Sequence, residues 1–376
     1  MGKSRWTRSA TIVVIVGFCA VVSTLYNAIS STSNNEPSSE GGWSSSSSSS
    51  SSSPQLRRAL SWLDDHKRPI VNPAVRNHMK PLTRTPDPEN ETVLFWHIPK
   101  SGGTTLKSIY KCMKKTLSVR VGADPRYGHA TDKEIVAFEP GRMGASFVNV
   151  DTLTPPGILR AQELGLVPSG LADLVVTTNA LNFAIEHLYD KSHKGRVLAL
   201  FRHPVDRLVS KFYYSQTATW ERSYHPQWKD IDILSWAEHI NHDNNQLVKT
   251  LARVGQFGEV TEADLITAVK TIKLRFIVGL MNEMEESIHR FNVFMGINES
   301  EENNRICMDQ FFGHGTKKEN SNPHPKVEEG SPAWQVLARD NEFDMRLYES
   351  IVEIFGEQTE IIEKHARSMA IWNGQE

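Results

Sequence analysis

The chain reads Phe95-Trp96-His97-Ile98-Pro99-Lys100-Ser101-Gly102-Gly103-Thr104-Thr105-Leu106 between an apolar strand and a helix. These residue types at this spacing suit an anion. Paired glycines let backbone N–H groups come close to an oxyanion. The opening turn of a helix adds unpaired N–H donors and the positive end of its dipole. Thr104 and Thr105 bring hydroxyl donors, and Lys100 brings a point charge. The pattern is not the ATP-type loop G-x-x-x-x-G-K-[ST], because here the lysine precedes the glycines. A bare Gly-Gly would read as an ordinary turn. Strand, Pro-Lys, Gly-Gly, Thr-Thr and helix in succession read as a phosphate cradle.

Pro-Lys-Ser-Gly-Gly-Thr after a His-Ile strand resembles the 5′-phosphosulfate loop of Golgi-type sulfotransferases. These are the heparan sulfate and related carbohydrate O-sulfotransferases, which use 3′-phosphoadenosine-5′-phosphosulfate (PAPS). The resemblance implies a second anion site for the 3′-phosphate, with Arg at a later strand end and Ser about two helical turns on. Leu198-Ala199-Leu200-Phe201-Arg202-His203-Pro204 fits that site, with Pro204 suited to a first helical turn and Ser210 eight residues after Arg202. A planar guanidinium matches phosphate geometry. By resemblance, Lys100 neutralises the bridging oxygen as the nucleotide leaves. Ser101, Gly102, Gly103, Thr104 and Thr105 hold the 5′-phosphosulfate. Arg202 and Ser210 fix the 3′-phosphate and reject ATP, which lacks it. That scheme calls for no metal. The two motifs cover roughly residues 92–216, and residues 220–376 fit only loosely.

The acceptor hydroxyl needs a base. Many sulfotransferases place a His near the end of the strand before the Arg strand. Here that strand reads Leu174-Val175-Val176-Thr177-Thr178-Asn179, with no His. His97 enters the cradle, and Asp151 ends the strand after Phe147. Glu186, His187 and His129 are further candidates. Tyr213, Tyr214, Trp220, Tyr224 and Trp228 follow the second motif and read either as a sugar-stacking cleft or as packing. Gly313-His314-Gly315-Thr316-Lys317-Lys318 reads as a solvated loop, or as a cover for the nucleotide.

Periodicity supplies the elements that carry these residues. Strands are predicted at Val93–Ile98, Ser146–Val150, Leu174–Thr177 and Val197–Phe201. Helices are predicted at Thr104–Leu117, Gly157–Leu164, Ala180–Tyr189 and Val205–Gln216. Four strand–helix repeats predict an α/β fold of the P-loop type: a mostly parallel sheet flanked by helices, with ligands at the strand carboxyl ends. A helical C-terminal part follows, at Ile231–Ile240, Gln246–Val254, Glu262–Ile272, Glu283–Phe294 and Asn341–Arg367, with one returning strand at Arg275–Val278.

No charge interrupts Ser9–Asn35, and Lys3, Arg5 and Arg8 precede it. Residues 9–29 are therefore expected to form a transmembrane signal-anchor behind a cytoplasmic tail, residues 1–8, in a single-pass type II arrangement. A cleavable signal peptide is the other reading, because the densest apolar stretch, Ala10–Val22, is short. Residues 30–88, with the serine run Ser44–Ser53 and six later prolines, read as a flexible stem. Residues 89–376 are the expected lumenal domain. Sequons at Asn90 and Asn298 agree with the secretory route. Cys112 and Cys307 are either a disulfide or two buried thiols.

The chain has 376 residues and a formal net charge of −2. Residues 1–88 carry 10 basic and 5 acidic side chains, and the remainder carries 32 and 39, so the body stands at −7. That balance argues against a general nucleic-acid binder, because phosphate affinity needs clustered Lys and Arg. The expected partners are the membrane and a hydroxyl acceptor, in first place a glycan in the Golgi lumen. Two other functions fit part of the pattern. One is a catalytically degenerate fold that binds without turnover. The other is a secretory-pathway kinase, which leaves Arg202 and Ser210 unexplained.

Overall fold

The computed structural model describes residues 71–141, 144–221, 223–240, 243–313 and 324–372. The expected anchor at 9–29, the stem up to residue 70 and the loop residues 314–318 lie outside them. Among the described residues no helix is long and apolar enough to cross a membrane.

Seven strands form one sheet: β1 Val93–Trp96, β2 Leu117–Ser118, β3 Ala137–Phe138, β4 Phe147–Val148, β5 Leu174–Thr177, β6 Arg196–Phe201 and β7 Phe276–Leu280. Their spatial order is β3-β4-β2-β5-β1-β6-β7. All pairs are parallel except β3 with β4. The predicted α/β fold with a mostly parallel sheet and flanking helices is what the structure has.

Alternate residues of each strand point to opposite faces. Leu94 and Trp96 of β1, Val197 and Ala199 of β6, and Phe276 and Val278 of β7 feed one core. Val93 and Phe95, Leu198 and Leu200, and Ile277 feed the other. Both faces are covered, so the strands read as continuous apolar runs. The helix after β1, α2 Gly103–Cys112, buries Leu106, Ile109 and Tyr110 on the Phe95 face. The helix after β5, α4 Leu181–Leu188, buries Ala184 and Ile185 on the Trp96 face. β1 lies between β5 and β6; its own crossover to β2 leaves on the Phe95 face, whereas the crossovers from β5 to β6 and from β6 to β7 run the opposite way on the Trp96 face. That is the place where open α/β sheets form a crevice at the strand carboxyl ends.

Three further helices have clear local causes. In α3, Pro155–Glu163, the Thr154 hydroxyl caps Gly157 N and Pro155 opens the first turn. In α5, Pro204–Ser215, proline again stands first. α8, Glu262–Arg275, begins with a capping box between Thr261 and Asp264. The C-terminal part adds α6 Ile233–His239, α7 Gln246–Ala252, α9 Met284–Met295, α10 Glu302–Phe312, α11 Pro332–Asp340 and α12 Glu342–Trp372. α5, α6 and α11 build a third, smaller core around Phe212, Trp236 and Leu337.

Several boundaries differ from expectation, among them the following three. Residues 72–88, assigned to the stem, belong to the packed body. Here α1, Pro73–His78, buries Ala74 and Val75, with Asn72 as its cap. Prolines that stop longer helices are compatible with a one-turn helix that starts on one of them. The helix predicted to run to Leu117 ends at Cys112, because Leu117 is drawn into β2 beside Leu174. Arg275 closes α8 rather than opening β7.

Cys112 and Cys307 are bonded, Cα to Cα 5.8 Å, and join the end of α2 to α10 across 195 residues of sequence. Closing so long a loop restricts the unfolded chain, so the cross-link is worth about 3–5 kcal/mol. The pair Cys112→Ser, Cys307→Ser is expected to lose that stability in urea denaturation while leaving the β1–α2 loop in place, because Cys112 is at the far end of the helix. Equal stability with and without reductant would sink the pairing.

Candidate functional site

The turn between β1 and α2 is built from backbone geometry that only some residues accept. Gly102 has φ 87° and is the helix N-cap. A Cβ there would come 2.5 Å from Met284 Cε. A Cβ on Gly103 would lie 2.1 Å from His97 Cδ2, so the His97 ring is packed closely against the helix start. Lys100 takes a left-handed φ of 68°, uncommon for a residue with a Cβ and a local strain that the surrounding turn must hold. No side chain caps α2. The first-turn N–H groups of Gly103, Thr104 and Thr105 therefore have no helical partner and no side-chain cap. The Ser101 hydroxyl is buried and makes no hydrogen bond within the protein. Ser118 and Thr177, the last residues of β2 and β5, carry buried hydroxyls in the same condition. Three orphaned hydroxyls thus mark the carboxyl edge of adjacent strands.

Arg202 follows β6 and donates from Nη1 to the Lys100 carbonyl at 3.1 Å, joining motifs 102 residues apart. Lys100 Nζ rests over the Tyr214 ring, 3.4 Å from its centroid. Burial lowers the Lys100 pKa to about 8, Arg202 adds to the fall, and Glu221 opposes it. Burial also lowers Arg202, with Asp206 and Tyr348 opposing. Lys107, one turn into α2, is lowered by burial and by Lys111, again against Glu221. His97 falls to about 3 through burial, then Lys107, then Lys100. Its imidazole is neutral at every physiological pH, and so weak a base cannot usefully take a hydroxyl proton. The site is a cluster of partly desolvated cations around an uncapped helix start, which is what a multiply charged anion needs.

The structure brings His97, Lys100, Ser101, Gly102, Gly103, Thr104, Thr105 and Arg202 together. Ser210 is buried in α5, two turns beyond its Pro204 start. Asp151 is elsewhere. It follows β4, three strand spacings from β1, about 14 Å away. Its Oδ1 accepts from Leu153 N at 2.9 Å and its Oδ2 from the Thr154 hydroxyl at 2.8 Å. Asp151 therefore shapes the turn into α3, and the structure does not bring this expected base to the loop that holds Lys100 and Arg202.

The other candidate bases are also committed. Glu186 pairs with Arg253, and His187 Nδ1 meets Gln162 at 3.2 Å. Both stand at the end of α4. A helix that follows a parallel strand runs back toward the strand's amino end, so that end faces away from the carboxyl edge. His129 Nδ1 meets Asp132 at 2.8 Å and its ring lies 4.5 Å from Phe138, near the antiparallel edge strand β3.

The aromatic run divides. Tyr213 stacks on His324 at 5.1 Å, and Trp228 packs among Phe212, His225 and Trp236. Tyr214 and Trp220 face the site: their rings meet edge-on at 6.3 Å, and Trp220 is 75 % exposed. Beside them, the Tyr214 hydroxyl donates to Glu221 Oε1 at 3.4 Å. Sequence reasoning missed Glu221 and Lys107. Glu221 carries no local pattern, whereas Lys107 was signalled by its place one turn after Gly103. Among known proteins, no family model and no characterised sequence matches the chain.

Proposed function

We propose that this protein is a sulfotransferase that moves a sulfuryl group from PAPS to a hydroxyl acceptor, in first place a glycan. The observation that carries the reading is the Arg202 bond to the Lys100 carbonyl, which joins the two expected anion sites at one strand edge. PAPS supplies an activated sulfuryl group on a phosphate leaving group. The orphaned Ser101 hydroxyl and the uncapped start of α2 suit the 5′ end of such a donor. The Arg202 guanidinium and the Ser210 hydroxyl suit a 3′-phosphate. Lys100 suits the oxygen that becomes negative as transfer proceeds, because a partly desolvated ammonium interacts strongly with developing charge. The sheet belongs to the P-loop type on this reading.

The place of action is read as the Golgi lumen, behind a type II anchor at residues 9–29. A cross-link between Cys112 and Cys307 favours an oxidising compartment over the cytosol.

Calorimetric titration of the full-length protein with adenosine 3′,5′-bisphosphate (PAP) and with ATP tests the reading. PAP is expected to bind at least about tenfold more tightly, because only it offers Arg202 a 3′-phosphate. Equal affinity, or no binding of either, overturns it.

A further inference from the structure

We propose, on the basis of the sulfotransferase reading, that Glu221 is the general base that receives the acceptor's hydroxyl proton, beside an acceptor seat walled by Trp220. Tyr214 organises this corner. Its ring face carries Lys100 Nζ at 3.4 Å, and its hydroxyl donates to Glu221 Oε1 at 3.4 Å. One side chain thus holds a cation on its ring and a carboxylate at its tip. Both charges stay near the transfer point, spaced apart on one support.

Glu221 also acts on Lys107, so it stands among the cations that flank the loop. Trp220, the preceding residue, offers an open indole to a ligand with an apolar face and hydroxyl rim, which describes a pyranose. Of the bases weighed from the sequence, His97 is left a weak base by its burial, and Asp151, Glu186, His187 and His129 are bonded elsewhere.

The chemistry balances. The acceptor O–H proton passes to a Glu221 oxygen while the acceptor oxygen bonds to sulfur. The bond from sulfur to the 5′-phosphate oxygen breaks, and its electron pair leaves with PAP, next to the Lys100 ammonium. Glu221 is exposed and returns its proton to solvent.

The experiment uses full-length protein, sulfur-labelled PAPS and a panel of free pyranosides, with water always present as an alternative acceptor. Calorimetry with PAP runs alongside. Glu221→Gln is expected to lose about 10²–10⁴-fold in transfer or PAPS hydrolysis and to lose the acid limb of the pH–rate profile. Its PAP affinity should be equal or higher, since a negative charge beside Lys100 and Lys107 is gone. Glu221→Asp is expected to retain the limb with part of the rate. A rate within about threefold of wild type in Glu221→Gln overturns the proposal, as does an equal loss of rate and PAP affinity, which marks a structural role. Wild type that binds PAP but neither transfers nor hydrolyses also overturns it. Wild type that does not bind PAP removes the sulfotransferase reading itself and the base with it.

Discussion

On the proposed sulfotransferase reading, replacing Lys100 by alanine is expected to reduce sulfuryl transfer about 10²–10³-fold, the usual loss when one fixed donor at a developing negative charge is removed. Lys100→Arg should recover little of it, because a fork-shaped guanidinium cannot occupy the ammonium's place over the Tyr214 ring without displacing it. The same lysine sets a pH limit on nucleotide binding. Its pKa in the free protein is about 8, so below that pH the ammonium is already present and PAP affinity is flat. Above it, binding must take up a proton, and affinity falls by up to about tenfold per pH unit. Calorimetry across this range checks the sign. Affinity that rises with pH in the wild type, or an alkaline limb that persists in Lys100→Ala, would show that another group controls binding.

The second large effect concerns stability. Arg196, the first residue of β6, is 1 % exposed and pairs through Nε with the buried Glu91. Its Nη2 donates to the carbonyls of Arg84 at 2.9 Å and Thr85 at 3.0 Å, and Lys80 Nζ meets Glu91 Oε1 at 2.6 Å. One guanidinium therefore ties the segment before β1 to the sheet. Arg196→Met is expected to cost about 3 kcal/mol, because Glu91 keeps only Lys80 as its partner and the carbonyls of Pro81, Arg84 and Thr85 lose their donor. Over the roughly 300 residues of the folded body, that corresponds to a fall in melting temperature of about 5 °C. Glu91→Gln keeps a hydrogen-bonding group for Arg196 and should cost less. Equal melting temperatures for Arg196→Met and wild type would sink this account.

The central repeats were legible because buried parallel strands and amphipathic helices write their period into the chain. β5 matches its predicted range, and β1, β6 and α5 fall within one or two residues of theirs. β2 and β3, with two residues each, are too short to show a period and exist only through pairing with neighbours. α10 was missed because its run Glu302–Arg305 is polar, and its packing depends on Cys307 and Met308 meeting α2. α1 was hidden by the surrounding prolines, and its burial depends on α4 and α8, distant in the chain.

The loop residues Lys100 to Thr105, and Arg202 with Ser210, could be singled out from sequence alone, since the features of a strand–helix turn are local. Tertiary structure decided what lies opposite it. The chain folds so that the last turn of α5 sets Tyr214 under Lys100, and the segment after α5 brings Glu221 to the Tyr214 hydroxyl. It places Asp151 three strands away, because β2 and β5 insert between β4 and β1. It also pairs Cys112 with Cys307, a matter of two helices packed side by side. A motif specifies the groups that one turn can hold. Which distant side chain completes the site depends on strand order and helix packing, and those are properties of the whole chain.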